Sequence, residues 1–167
     1  CGDPDVEIIE FRKRYATSRT PDSSLFDGAR ALLEEARAAG AGTAICSNKP
    51  QALCEKVLAD LDMLHLFDVV VGGQASHAPK PAPDLLQLCL MQLGASPSEC
   101  LYVGDSELDH QVATQLNMSF IHVEHGYGDC VDGLPVFHRA RSLDDLTPVM
   151  LKWCGPERRK ARVPRRR

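Results

Sequence analysis

Between residues 26 and 154 the apolar positions switch repeatedly between two periods, and the switches fall at turn residues. In "GARALLEEARAAG" (28–40), Ala29, Leu32, Leu33 and Ala36 recur at helical spacing, with Gly40 and Gly42 as stop signals. "TAICS" (43–47) is a compact apolar run that predicts a buried strand. Pro50 is expected to open a second helix, because a proline's missing N–H is not needed at the first helical position. Positions 53, 54, 57, 58 and 61 then form one apolar stripe. "FDVVVGG" (67–73) predicts a second strand, "QASHAPKPAP" (74–83) a loop, and "DLLQLCLMQLG" (84–94) a helix stopped by Gly94. A third strand is expected over "CLYVGD" (100–105), burying Leu101 to Val103. A helix over "ELDHQVATQLN" (107–117), a fourth strand over "SFIHVEHG" (119–126) and a last helix in "RSLDDLTPVMLKWC" (141–154) follow.

Strands alternating with helices imply parallel strands joined by right-handed crossovers, in a sheet covered on both faces. The expected fold class is therefore α/β: a doubly wound parallel sheet in three layers, α/β/α. In such sheets ligands gather beyond the carboxyl ends of the strands, so the polar residues that follow each strand are the first candidates for chemistry.

Three places qualify. Ser47, Asn48 and Lys49 follow the first strand and precede a helix N-terminus, where backbone N–H groups and the helix dipole favour an anion; a plain N-cap beside a solvated lysine is the alternative. Lys80 sits in "APKPAP", whose prolines restrict the directions of its stem, so it is either a rigidly presented cation for a phosphate or a surface lysine in a proline-rich turn. Asp105 and Asp109 flank the end of the third strand and repel each other unless a cation lies between them. Mg2+, with its preference for oxygen ligands, suits them, and acids balancing a helix dipole are the alternative. Together a hydroxyl donor, a held cation and a metal carboxylate above one sheet edge describe a phosphate site.

Composition limits the rest. With 167 residues, 44% apolar and 25% charged, the chain has material for one sizeable core and reads as an ordinary globular protein. No apolar run approaches a membrane span, and a cytoplasmic location is expected. Seven cysteines, none in CxxC spacing, are expected to be reduced structural thiols. His110, His122, His125 and His138 share no metal or triad spacing and are read as surface or supporting residues. The net charge of −4 conceals +6 over residues 157–167 and −10 before them. A disordered basic tail over 155–167 is expected, and the acidic body argues against nucleic acid as a partner.

"TAICSNKP", "APKPAP" and "LYVGDSELDHQVA" resemble the second, third and fourth motifs of the haloacid dehalogenase-like phosphatases, in the spacing of the phosphoglycolate phosphatase branch. "FRKRY" is similar to the end of that branch's helical cap, and "VEHGYG" and "ARSLDDL" to its later landmarks. The resemblance implies a cap remnant over 1–24 and a family-type core over 25–154. It implies that Ser47 hydrogen-bonds the transferring phosphoryl group with help from the Asn48 backbone. Lys80 would be the catalytic cation that neutralises phosphate and nucleophile; Lys49, outside that correspondence, is either a further substrate contact or a solvated lysine. Asp105 would ligate Mg2+, and Asp109 would hold the metal through water or support Asp105. Glu107 is left as a helix-start acid. The implied activity is hydrolysis of a small phosphorylated metabolite such as 2-phosphoglycolate, through an aspartyl-phosphate.

One departure qualifies this. The family's first motif, an apolar strand ending in DxDGT, supplies the nucleophile, and the sequence has no such segment; Asp3 and Asp5 have the spacing without the strand. The chain also begins with Cys1 rather than methionine. A piece of a longer enzyme is therefore expected, marginally stable and catalytically silent by itself, with an apolar slot where the strand would lie. The alternative is a remnant that binds phosphate or a partner without turnover.

Overall fold

The computed structural model describes residues 19–20, 25–126, 128, 131 and 133–155. The expectations for the cap remnant and for the basic tail beyond residue 155 lie outside the described residues, as do Cys1, Asp3, Asp5 and Cys130.

The alternating pattern resolves as α1 (Ala29–Ala38), β1 (Ala44–Pro50), α2 (Gln51–Asp60), β2 (Val69–Gly73), α3 (Asp84–Leu93), β3 (Leu101–Gly104), α4 (Glu107–Gln115), β4 (Ser119–Val123), β5 (His138–Ala140) and α5 (Leu146–Trp153). Gly94 ends α3 in the left-handed region at φ 61, as a helix-stop glycine does. Pro148 lies in the first turn of α5, where no intrahelical donor is needed.

The main differences from expectation are the end of β1 and an added strand. β1 runs on through Ser47, Asn48 and Lys49 to Pro50, which is the N-cap of α2 at φ −49, ψ 140 rather than its first residue. The extension pairs irregularly with β2: Cys46 faces Val71, and the next pair is Pro50 with Gly73. There the side chain of Gln51 takes over part of the ladder, donating to the Val70 carbonyl at 2.9 Å and accepting from the Gly72 N–H. A Cβ on Gly72 would stand 2.5 Å from the Gln51 Cα, so this close approach requires glycine. The second difference is β5, a three-residue strand with no apolar run to announce it.

All strand pairs are parallel. β1 pairs with β2, and β3–β4–β5 form a second sheet in that order. Period-two alternation sends Tyr102 and Phe120 to one face, against α3 and α4, where Leu85, Cys89 and Val112 complete the core. Leu101 and Ile121 point to the other face, against Leu32 of α1 and Leu146 of α5. The three-layer, doubly wound arrangement is thus present, and β1 and β3 have no strand between them among the described residues. A cavity of about 860 Å³ separates the two half-sheets, lined by Ala44 and Cys46 on one side and Leu101, Tyr102 and Val103 on the other. Val103, expected to be buried, lines it at 43% exposure.

Two histidines are buried rather than superficial. His110 bonds the Pro135 carbonyl at 2.9 Å, and His122 of β4 meets Arg139 of β5 at 3.2 Å. Among the described residues no helix is long and apolar enough to cross a membrane.

Leu85 is fully buried at the centre of the larger core. Leu85→Ala should cost about 2–5 kcal/mol in urea unfolding, whereas Met91→Ala, at a 71% exposed position of the same helix, should stay within about 0.5 kcal/mol.

Candidate active site

Asn48, near the end of β1, and Asp109, after β3, meet at one lysine. Lys80 reaches in from the loop between β2 and α3. Its ammonium donates to the Cys46 carbonyl of β1 at 3.2 Å, to the Tyr102 hydroxyl of β3 at 3.2 Å and to Asp109 Oδ1 of α4 at 2.7 Å. The pair is well enclosed, with side chains 12% and 8% exposed. Such a lysine is not a solvated surface cation.

Asn48 sets the position of that lysine. Its Oδ1 accepts from the Lys80 N–H at 2.7 Å and its Nδ2 donates to the Lys80 carbonyl at 3.0 Å, so one amide holds both backbone groups. Gln115 of α4 adds a hydrogen bond to the Pro81 carbonyl at 2.8 Å. Ser47 bends the end of β1 by accepting from the Lys49 N–H at 3.1 Å, and neither Ser47 nor Asn48 caps α2. Ser47 and Lys49 are half-buried and Asn48 exposed.

Asp109 belongs to the first turn of α4, whose N-cap Ser106 accepts from the Asp109 N–H and donates its hydroxyl to Asp109 Oδ2 at 2.7 Å. Tyr102 donates to Oδ1 at 2.8 Å. Burial pushes the Asp109 carboxyl up, but the Lys80 charge and the hydrogen bonds from Lys80, Ser106 and Tyr102 outweigh it, holding the group below the ordinary carboxylate range. Burial, and after it the Asp109 charge, pushes the Tyr102 phenol up and keeps it a donor.

Asp105 is placed differently. It is half-buried at the strand end, and Oδ2 accepts from the Gly128 N–H at 3.0 Å. A Cβ on Gly126 would stand 2.0 Å from the Asp105 Cβ, so only glycine lets the loop after β4 lie so close. Among the described residues no group of three His, Cys, Asp or Glu could hold a metal ion. Glu107 turns away along α4 and accepts from Gln111 at 2.9 Å.

The structure therefore brings Lys80, Asn48 and Asp109 into one hydrogen-bonded cluster. Tyr102 and Ser106 complete it and were not singled out in the sequence. A phenol within an apolar strand was the available signal, since a buried tyrosine hydroxyl needs a partner.

The family described as haloacid dehalogenase-like hydrolase matches residues 3–123. The phosphoglycolate phosphatase of Cereibacter sphaeroides is 34% identical over 143 residues, covering 85% of this chain and 64% of that protein. The Escherichia coli protein of the same name is 30% identical over 153 residues, covering 89% and 61%. Among solved structures, a predicted phosphoglycolate phosphatase from Haemophilus somnus aligns with a TM-score of 0.74 at 22% identity, over 84% of this chain and 62% of that one. A parallel α/β fold with this motif order, matched over most of its length, makes the chain a member of the haloacid dehalogenase-like hydrolases. It spans less than two thirds of the length of these curated relatives.

Because Asp109 is depressed in the folded state, its contribution to stability is present above the ordinary carboxylate value and is lost as pH falls through the lower folded value. Asp109→Asn should therefore be less stable than the parent by about 3–5 kcal/mol near neutral pH, since it leaves a buried ammonium unpaired. That gap should shrink in urea titrations taken progressively below about pH 4; a gap independent of pH would contradict the assignment.

Proposed function

We propose that this chain supplies the phosphate-handling part of a Mg2+-dependent phosphomonoester hydrolase of the phosphoglycolate phosphatase type, acting on a small phosphorylated metabolite. The fixed ammonium of Lys80 carries the reading. Three acceptors and an amide clasp on its backbone hold a positive charge where β1 and β3 both end. A cation held in advance offsets phosphoryl charge without reorganising during reaction.

Around it, Ser47 donates its hydroxyl to a phosphoryl oxygen, the Asn48 backbone assists, and Lys49 on the same turn contributes to holding the substrate. Asp105 has the hard oxygen-donor chemistry Mg2+ prefers. Asp109 Oδ1 accepts from Lys80 and Tyr102 and Oδ2 from Ser106, so its part is to hold the metal through water or to support Asp105. It also holds Lys80. Bound at Asp105, Mg2+ would supply charge stabilisation to the phosphoryl group.

In the two-step reaction a carboxylate oxygen bonds to phosphorus as the ester oxygen departs with a proton, and water then cleaves the acyl phosphate to release inorganic phosphate. The sequence holds no apolar strand followed by DxDGT, and the apolar cavity between β1 and β3 supports the expectation of a strand supplied from elsewhere. On this reading the nucleophile comes from a segment outside this sequence, and the chain alone binds phosphate without turning it over. The same cavity favours a second reading, a phosphate- or partner-binding module silent in every setting. An in-frame strand ending in DxDGT encoded within roughly 100 residues upstream, about one cap's length, separates the two.

Titrating the purified chain with inorganic phosphate, followed by 31P NMR, should show saturable binding. Ser47→Ala should weaken it about tenfold, the effect of one hydrogen bond to a charged group, and 2-phosphoglycolate with Mg2+ should yield no phosphate. Turnover by the chain alone would refute the missing nucleophile. Phosphate affinity unchanged in both Ser47→Ala and Lys80→Met would refute the site.

A further inference from the structure

The phosphate-site reading leaves one buried pair of nucleophilic side chains unused. Cys46 projects from β1 and Cys89 from α3, and both pack in the larger core and line the cavity between the half-sheets. The Cys89 thiol donates to the Ile45 carbonyl at 3.1 Å, the peptide group that leads into Cys46, so its sulfur lies beside the Cys46 backbone. The Cys46 carbonyl in turn accepts from Lys80, which places the ammonium on the same stretch of β1.

We propose that Cys46 and Cys89 form a peroxide-responsive thiol pair, Cys46 the attacking sulfur and Cys89 the resolving one, joined reversibly in a disulfide that staples β1 to α3 beneath Ser47 and Lys80. This inference does not rest on the phosphatase reading.

The electrostatics agree with that division of roles. Turned from the Ile45 carbonyl to the Cys46 sulfur, the single Cys89 S–H favours the Cys46 thiolate; burial opposes it, the Lys80 charge adds to the favourable side and the Asp109 charge detracts from it, so the thiol is pushed down. Cys89 is pushed up by its hydrogen bond to Cys46, by burial and by the Cys46 charge. Cys54, bonded to the Lys49 carbonyl, is pushed up by burial. In the first step the Cys46 thiolate attacks one peroxide oxygen, the O–O bond breaks, and hydroxide leaves to become water, giving a sulfenic acid. That removes the charge that had kept Cys89 protonated. Cys89 then loses its proton and its sulfur attacks that of Cys46, expelling the oxygen as a second water. Two thiols and one hydrogen peroxide become one disulfide and two waters, the peroxide being reduced and the sulfurs oxidised. The cavity gives the oxidant its route.

The test is native treatment of the chain with a slight excess of hydrogen peroxide, followed by intact mass and peptide mapping. The expected product has lost two hydrogens, links Cys46 to Cys89 and is restored by dithiothreitol. Cys89→Ser should instead accumulate a dimedone-trapped sulfenic acid on Cys46. Cys46→Ser should lose its fastest-reacting thiol, slowing peroxide consumption about tenfold, in line with the remaining thiols being largely protonated at neutral pH. A disulfide formed first between any other pair, Cys54, Cys1 and Cys130 included, would overturn the proposal. So would a Cys46 that reacts no faster than Cys54 in the parent protein, a comparison that needs no variant to fold.

Discussion

The ion pair between Lys80 and Asp109 ties the two halves of this molecule together at their strand ends, above the apolar core that they share. The lysine leaves the β1–β2 side, in the loop after β2, and the aspartate stands on α4 behind β3, with the apolar cavity between the half-sheets. Neither charge would persist in such an enclosed place alone, because each loses more to desolvation than burial of its stem returns. Each is instead saturated: the ammonium by a carbonyl, a phenol and a carboxylate, the carboxylate by an ammonium, a phenol and a serine hydroxyl. A pair of this kind adds little net stability compared with a well-packed apolar substitute. Its effect is to fix one relative placement of two strand ends that, among the described residues, no strand lies between.

Much of the architecture was legible because it follows from periodicity and punctuation. The helices α1 and α3 carry their apolar stripes and stop signals in the chain itself, and the carboxyl-end rule for parallel sheets points to the loop that carries Lys80. What stayed hidden depends on partners distant in sequence. The continuation of β1 to Pro50 looks like a turn because its ladder is broken and Gln51 substitutes for it. β5 is three residues, His138, Arg139 and Ala140, and is a strand because β4 is beside it. Asn48 reads as a capping residue, yet its amide serves a lysine 32 positions away. Val103 reads as core and is exposed because the space beside it is open.

The three acids after β3 show how one short segment divides its labour by geometry. Asp105 ends the strand and is covered by a glycine loop from beyond β4, Glu107 lies on the outward side of α4 with Gln111, and Asp109 turns inward within the first helical turn. Composition treats them alike, but burial and hydrogen-bond donors make one a candidate ligand, one a surface group and one a counter-charge. Ser106 arranges the split, because as N-cap it fixes where the helix starts and therefore which way each later side chain faces.

The clasp of Asn48 on the Lys80 backbone has a consequence for how the site answers its surroundings. A carboxamide carries no net charge, so the loop that presents the ammonium is held by contacts that neither protons nor dissolved ions weaken appreciably. The attraction between that ammonium and an incoming anion is, by contrast, screened as salt rises. On the proposed reading, occupancy would be the salt-sensitive quantity, while the backbone of the loop that carries Lys80 would keep one geometry in dilute buffer and in a concentrated medium.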